Sequence, residues 1–502
     1  MEESNRMSKK GKIIAAVSVF LVLAVGLVVV FLYGSMPMRV DWEKIHKVSN
    51  NVTLLTPGEG KNPSKDAYSL VKLNADGSVD ETDWKVMQAT DLHFGDKMKE
   101  NEVTLEKFLD AIYREKPDYV VLTGDIITSI RGRSRAVQLC NIFEKLGIYW
   151  TYVIGNHEGD QIFALSRKEL IEICASYPHC VLDSSVKYTS DGKKVWGEGN
   201  CVVNLLGKDY KAVQTMIFMD TGDAITDEDA ERVGVKKGTY DFLKEDQMQW
   251  YKEQVQAAVR LNEDVKTMLF VHIPLVEQSS LVYVRQSEYA PKDANVERSV
   301  VLLSEDPNCR EASALTKEEQ KALDAGEIIQ VMAAAKSGGK RKVTLIPAVY
   351  KKMLGSERTY KDEVIGFYVL KEGWAYADGT GCQEGCCSSD YNNGMYALMA
   401  SMREHVNGLF CGHDHVTNSV LFETGTYTTE DSPVYLCYGI CGGYATYSLY
   451  THKMSENPDE LKGYNIIRIH DDCSFDYVGV QYTNVEKQSE YILNSLPVYA
   501  HS

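Results

Sequence analysis

Five short stretches of this 502-residue chain combine residue types and spacing that suit metal chemistry. They are Asp91-Leu92-His93, Gly124-Asp125, Gly155-Asn156-His157-Glu158, Val271-His272-Ile273-Pro274 and Gly412-His413-Asp414-His415. Each follows a short apolar run, and five of the eleven histidines fall in them. Carboxylates mixed with imidazoles suit borderline-hard divalent ions such as Mn²⁺, Fe²⁺ or Zn²⁺. Asp91, His93, Asp125, Asn156, His272, His413 and His415 are too many ligands for one ion, and two ions about 3.5 to 4 Å apart are the usual solution. Glycines beside Asp125, Asn156 and His413 let the backbone turn sharply and keep access open. Taken singly, each histidine reads more readily as a satisfied, part-buried structural residue. Five such tips in one chain read as one site.

Residues so far apart in sequence meet only if strands bring them together. Helical apolar spacing over Thr104 to Glu115 hands over to a strand at Tyr119 to Leu122, and Ser134 to Lys145 hands over to Tyr149 to Ile154. Gln247 to Arg260 and Thr267 to Val271 repeat the pattern. Helices alternating with short buried strands indicate an α/β fold, in which ligands bind beyond the carboxyl ends of the strands. Later strands at Val434 to Tyr438, Tyr464 to Ile469 and Phe475 to Val480 have no helices between them, so a mixed sheet or two packed sheets is expected. Asn74-Ala75-Asp76-Gly77, between apolar runs at Tyr68 to Leu73 and Trp84 to Thr90, is a hairpin signal and marks the start of the ordered domain. Trp250 and Tyr251 read as core; Asp220 and Asp414 read either as partners that orient ligating histidines or as turn residues.

In order and type, the five tips resemble the motifs of calcineurin-like metallophosphoesterases, and the resemblance spans most of residues 66 to 482. It implies a central two-sheet β-sandwich flanked by helices. It further implies that Asp91, His93, Asp125 and His415 hold one metal, that Asp125 bridges to a second held by Asn156, His272 and His413, and that His157 protonates the leaving group or steadies the phosphoryl oxygens. A metal-bound hydroxide would then attack phosphorus in line. Purple acid phosphatases carry Tyr where this chain has Thr128 and Gly where it has His93, so the chain resembles the non-purple branch, with a redox-neutral metal pair. Met219-Asp220-Thr221-Gly222, Gln249-Trp250-Tyr251, His272-Ile273-Pro274 and Tyr438-Gly439 through Tyr447 look like membrane-linked or secreted relatives within it. A nucleotide pyrophosphatase or nuclease on the same scaffold is the alternative activity. A catalytically dead surface binding protein would lack a ligand, and none is missing.

The 140 residues between His272 and His413 exceed the helix and strand usual there, so residues 276–375 read as an insertion at the site's rim. Within it the stretch 336–361 carries Lys336, Lys340, Arg341, Lys342, Lys351, Lys352, Arg358 and Lys361 against one acid, Glu357. They read either as a cap that draws anionic substrate or as a solvated face. The whole chain is acidic, with 54 Lys plus Arg against 71 Asp plus Glu and a net charge of −17, which excludes a general nucleic-acid binder. Hydrophobic residues at 44% exclude wholesale disorder.

Residues 13–33 carry no charge and match the roughly 20 residues that cross a bilayer. They are too long for a signal-peptide core and lack a cleavage site, so they read as a single-pass signal anchor. Four bases precede it and Arg39, Lys44 and Lys47 follow, which places residues 1–12 in the cytoplasm and the catalytic part outside. Residues 34–65, with Pro57-Gly58 and Asn62-Pro63, read as a stalk, 66–482 as the catalytic domain and 483–502 as a C-terminal tail. Twelve cysteines form no dense framework; one or two disulfides or buried thiols are expected, and Cys382, Cys386 and Cys387 lack the second pair a structural zinc needs. The expected partners are a phosphorylated small-molecule or lipid-like substrate and the membrane, and the sequence is silent on oligomeric state.

Overall fold

The computed structural model describes residues 9–482 and 489–491, except 35–37, 49, 131, 161–163, 291–297, 306–314, 336–337, 378–380, 383, 426 and 428–431. The apolar N-terminal segment forms one helix, α1 (Lys9–Gly34), and the stretch Lys10–Val28 is long and apolar enough to cross a membrane. None of that stretch is buried against protein. Its apolar residues surround the helix on all sides, which suits lipid and not a one-sided protein core.

Two sheets face each other behind the site. The larger holds β1 (Val52–Leu55), β2 (Tyr68–Lys72), β6 (Cys201–Leu206), β7 (Ala212–Phe218) and β8 (Lys266–Phe270), followed by strands 406–411, 435–438, 420–423 and 374–376. The smaller runs 489–491, 475–481, 463–469, then β3 (Trp84–Ala89), β4 (Tyr119–Thr123) and β5 (Tyr149–Val153). Helices α2 (Met98–Glu115) and α3 (Gly132–Leu146) connect β3 to β4 and β4 to β5, both parallel pairs. Helix α4 (Arg167–Ala175) follows β5, α5 (Asp227–Val233) follows β7, and α6 (Glu245–Leu261) precedes β8. The mixed α/β architecture, the two packed sheets and every helix-strand unit expected from periodicity are present.

Register explains how the sandwich fills. Phe218, Phe270 and Phe410 are neighbours on adjacent strands, and their rings stack at 5.1 and 5.0 Å. Phe475 and Tyr477 of the opposite sheet meet Phe410 edge-on at 5.8 and 5.5 Å. Within this apolar layer Gln88 is fully buried and spans the sheets. Its amide donates to Thr123 Oγ1 (3.1 Å) and to the Cys411 carbonyl (3.0 Å), and it accepts from Tyr477 OH (3.0 Å).

Three expectations are corrected. The stretch 34–65 is not a free stalk: Met38, Ile45 and Val48 are buried in the main core, and β1 pairs with β2 as the edge of the larger sheet. The alternating apolar residues of 52–55 supply a strand that the turn signals around it obscured. The Asp76-Gly77 turn does not join β2 to β3, because these belong to opposite sheets; it closes a local bridge between Leu73 and Val79. The supposed C-terminal tail returns strand 489–491 to the edge of the smaller sheet. Trp250 and Tyr251 are core, as expected.

The insertion forms two small sheets of its own, 300–302 with 340–346 and 329–334, and 350–352, 358–360 and 363–371 with 281–285. Strand 374–376 already belongs to the larger sheet, which ends the insertion there. Four of its basic residues are spoken for: Lys351 pairs with Glu372, Lys352 with Glu357 at 3.3 Å, Arg358 with Glu460 and Lys361 with Glu456 at 3.3 Å. Two of these acids, Glu456 and Glu460, are distant in sequence, and the four pairs offset half of the eight basic residues, which favours the solvated-face reading; Lys336 lies outside the described residues. Nine of the described cysteines, Cys386 aside, are free thiols, and eight of them are buried. Cys309 lies outside the described residues, as does the side chain of Cys382.

Candidate metal centre

The five tips converge. Parallel register sets Ala89 opposite Leu122 and Thr123 opposite Val153, so the loops after β3, β4 and β5 leave the smaller sheet at one level. Phe270 beside Phe410 does the same in the larger sheet for the loops carrying His272 and His413. Asp91, His93, Asp125 and His415 place ligand atoms within 4.8 Å of one another, as do Asp125, His272 and His413. Asn156 joins the second group, its Oδ1 3.0 Å from His272 Nε2. Every sequence-selected ligand residue is thus brought together, with Asp125 common to both groups.

The backbone here is costly. Asp91, His93, Asp125 and His413 all have positive φ (53°, 47°, 54° and 95°), a region that L residues other than glycine seldom occupy. Asp91 is held by Thr90 Oγ1 (2.8 Å) and the His413 N–H (3.0 Å), both donating to its Oδ2. Two glycines allow the approach. A Cβ on Gly155 would lie 2.2 Å from Asp125 Oδ1, and one on Gly124, which has φ of 88°, would lie 2.4 Å from His272 Nδ1.

The unpaired atoms define the chemistry. His272 Nδ1 donates to the Thr123 carbonyl at 2.7 Å, which leaves Nε2 bare in the neutral tautomer. That bare nitrogen faces two acceptors, Asn156 Oδ1 and Asp125 Oδ2 (3.3 Å). His93 Nε2 and His415 Nε2 face each other at 3.1 Å. Asp91 Oδ1, Asp125 Oδ2 and both ring nitrogens of His413 are buried with no hydrogen-bond partner. Buried acceptors that converge without donors need positive charge between them, and two divalent cations supply it.

The titration pattern agrees. Burial drives His413 down to about 3 and His415 to about 4, so both are neutral imidazoles with lone pairs available at pH 7. Burial opposes charge on His272 too, but the Asp125 carboxylate outweighs it and lifts the pKa to about 10. Asp125 is held well below the usual carboxylate range against its burial, chiefly by His272. This site draws a proton onto His272 unless a cation takes that place.

His157 stands apart at the mouth, its side chain 44% exposed and Nε2 4.0 Å from Asp125 Oδ2. Its Nδ1 pairs with Asp160. Burial lowers its pKa, but the charges of Asp125 and Asp160 prevail and raise it.

Sequence reasoning passed over several residues that build the site. Glu158, buried at the end of the third motif, accepts from the N–H groups of Ile126 (2.6 Å) and Gly155 (2.7 Å) and from Tyr152 OH (2.6 Å), which ties the Asp125 loop to the Asn156 loop. Arg167 donates to the Gly155 carbonyl at 2.6 Å and pairs with Asp220. Asp220 therefore steadies a loop through Arg167. Asp414 likewise contacts no ligating ring, accepting from Tyr438 OH (2.5 Å) and the Cys387 N–H (3.0 Å). Burial and the Asp414 charge push the Cys387 thiol up, which keeps it protonated at neutral pH. Tyr240 and Tyr447 set their rings 4.4 Å from His413 and His415. Glu158, Asp220, Asp414 and Tyr447 lie in motifs that the sequence marks, whereas Arg167 and Tyr240 carry no such signal.

The family model of calcineurin-like phosphoesterases matches residues 85–302, a span holding four of the five tips. Over that span the chain is similar to calcineurin-like phosphoesterases, which supports a hydrolase of phosphoric esters, and its His and Asp groups could hold metal ions. Among solved structures it is similar to a dimetal phosphatase from Danio rerio, at 10% identity and a TM-score of 0.37, over 82% of this chain and 96% of that one. No curated protein matches in sequence.

Proposed function

We propose that this chain is a single-pass, membrane-anchored phosphoesterase with its catalytic domain outside the cytoplasm. It hydrolyses phosphate mono- or diesters of small or lipid-like molecules using two divalent ions, Mn²⁺, Fe²⁺ or Zn²⁺. One observation carries the reading: buried acceptor atoms without donors converge in two groups that share Asp125. Asp91, His93, Asp125 and His415 would hold one ion, and Asp125, Asn156, His272 and His413 the other. When bound, the two ions lower the pKa of a water they share and neutralise charge on the phosphoryl oxygens. The Thr123 carbonyl keeps the His272 lone pair directed inward, and Thr90 and the His413 N–H orient Asp91. His157, at the open side with Nδ1 engaged by Asp160, carries a proton on Nε2 for the departing oxygen.

Asp125→Asn in the full chain is expected to abolish hydrolysis of both p-nitrophenyl phosphate and its bis ester and to lower the metal content of the purified protein. Retained activity would refute the assignment. His157→Ala is expected to keep both metals, measured by elemental analysis, while turnover falls about 100-fold, the scale of general acid catalysis.

A further inference from the structure

Resting on that membrane-anchored reading, we propose that the substrate is a phosphate ester carried by a lipid of the same bilayer, presented to a metal site held at headgroup level. The reason lies in how residues 38–48 are fastened. They form a strap along α2 and α3 that begins at the catalytic end of the domain.

Both helices start at the site. The Gly95 carbonyl, two residues beyond His93, accepts from Asn101 Nδ2 (2.8 Å) in α2 and from Arg135 (3.2 Å) in α3. The strap meets these same early turns first. The Met38 N–H donates to Gln138 Oε1 (2.8 Å), Gln138 Nε2 donates to the Met38 carbonyl (3.0 Å), and Arg39 pairs with Glu102 at 3.5 Å. It then runs toward the far end, where the His46 N–H donates to Tyr113 OH (2.8 Å) and the Val48 N–H to the Leu146 carbonyl (2.9 Å). At 1.5 Å per residue, Glu102 lies about 6 Å from the start of α2 and Tyr113 about 22 Å. The chain therefore arrives from the membrane on the catalytic side of the domain.

The reach is short. Three residues separate Gly34 from Met38, and four steps of extended chain span at most about 14 Å. Roughly 6 Å of that is the headgroup layer itself. Met38, Ile45 and Val48 are buried, so the strap has no slack to release. Lys99 is exposed at this end, and a cation close to a membrane surface attracts anionic headgroups. A lipid phosphate lies at the level of this site, whereas a freely diffusing ester gains nothing from the arrangement.

The test uses the full chain in phosphatidylcholine vesicles with Mn²⁺. Phosphatidate and phosphatidylglycerol in the bilayer serve as mono- and diester, and p-nitrophenyl phosphate and its bis ester serve in solution. Inserting 20 Gly/Ser residues between Pro37 and Met38 preserves helix and strap but lets the domain wander about 25 Å. Turnover of the lipid ester is expected to fall at least tenfold while the soluble ester is hydrolysed at the original rate. An unchanged lipid rate overturns the proposal, as does a wild-type enzyme active on the soluble esters and inactive on both lipids. Wild type inactive on all four esters, or extracted from the vesicles by alkaline carbonate, overturns instead the phosphoesterase or the anchoring reading beneath it. Should the insertion depress both rates, a photo-crosslinking residue decides. At Lys99 it is expected to label lipid at least fivefold more than at Asp110, about 17 Å further along α2, and equal labelling overturns the proposal.

Discussion

Gln88→Leu tests how the sandwich holds the metal centre open at the right width. Leu matches Gln in size but removes one acceptor and two donors at a fully buried position. Tyr477 OH loses its bond to Gln88 Oε1. The Cys411 carbonyl keeps the Gly439 N–H at 2.9 Å, so it is weakened and not orphaned. Each of the three lost bonds costs about 1 kcal/mol net. Against this stands the gain from a buried apolar side chain, about 1 kcal/mol for the atoms that replace the amide. The expected net destabilisation is about 2 kcal/mol. The effect reaches the site because Thr123 and Cys411 are the last residues before Gly124-Asp125 and Gly412-His413. Mn²⁺ affinity is expected to fall about tenfold, equivalent to about 1.4 kcal/mol. Urea unfolding of the chelator-stripped protein reads the first quantity and calorimetric Mn²⁺ titration the second. A loss below about 1 kcal/mol with unchanged affinity would refute the idea that this bridge sets the spacing.

Gly155→Ala forces a Cβ to within 2.4 Å of the Asp125 backbone nitrogen, where no side-chain rotation can relieve the clash; at least a 100-fold loss of turnover is expected, and activity within threefold of wild type would contradict the packing described. Proton and metal compete at His272, so Mn²⁺ affinity is expected to weaken as pH falls from 9 to 6, with proton release on binding measured in buffers of different ionisation enthalpy. Because its folded pKa of about 10 lies above the unfolded value of about 6.5, the stability that His272 contributes without metal is complete below about pH 6.5. It is lost as pH climbs toward 10. Melting temperatures of stripped and metal-loaded protein should diverge across that window, and parallel curves would count against the coupling.

Much of this protein is legible in its residues. Helical and strand periods placed the α2, α3 and α6 units with the strands that follow them, because amphipathic spacing reports the face each element must bury. The seven candidate ligands were readable because few other functions call for His, Asp and Asn together at successive strand ends. Elements whose signal lies in their partners were not legible. Val52–Leu55 is a strand because β2 offers it an edge, and residues 38–48 form a strap because Gln138, Tyr113 and Leu146 receive them. The same holds for the insertion's charges, whose partners Glu456 and Glu460 lie about 100 residues away. Composition and local spacing determined the class of chemistry and the residues able to perform it. Tertiary structure decided which atoms are left without donors, which loops hold them, and at which end of the domain residues 38–48 begin. Those outcomes depend on contacts between distant segments, which no local pattern encodes.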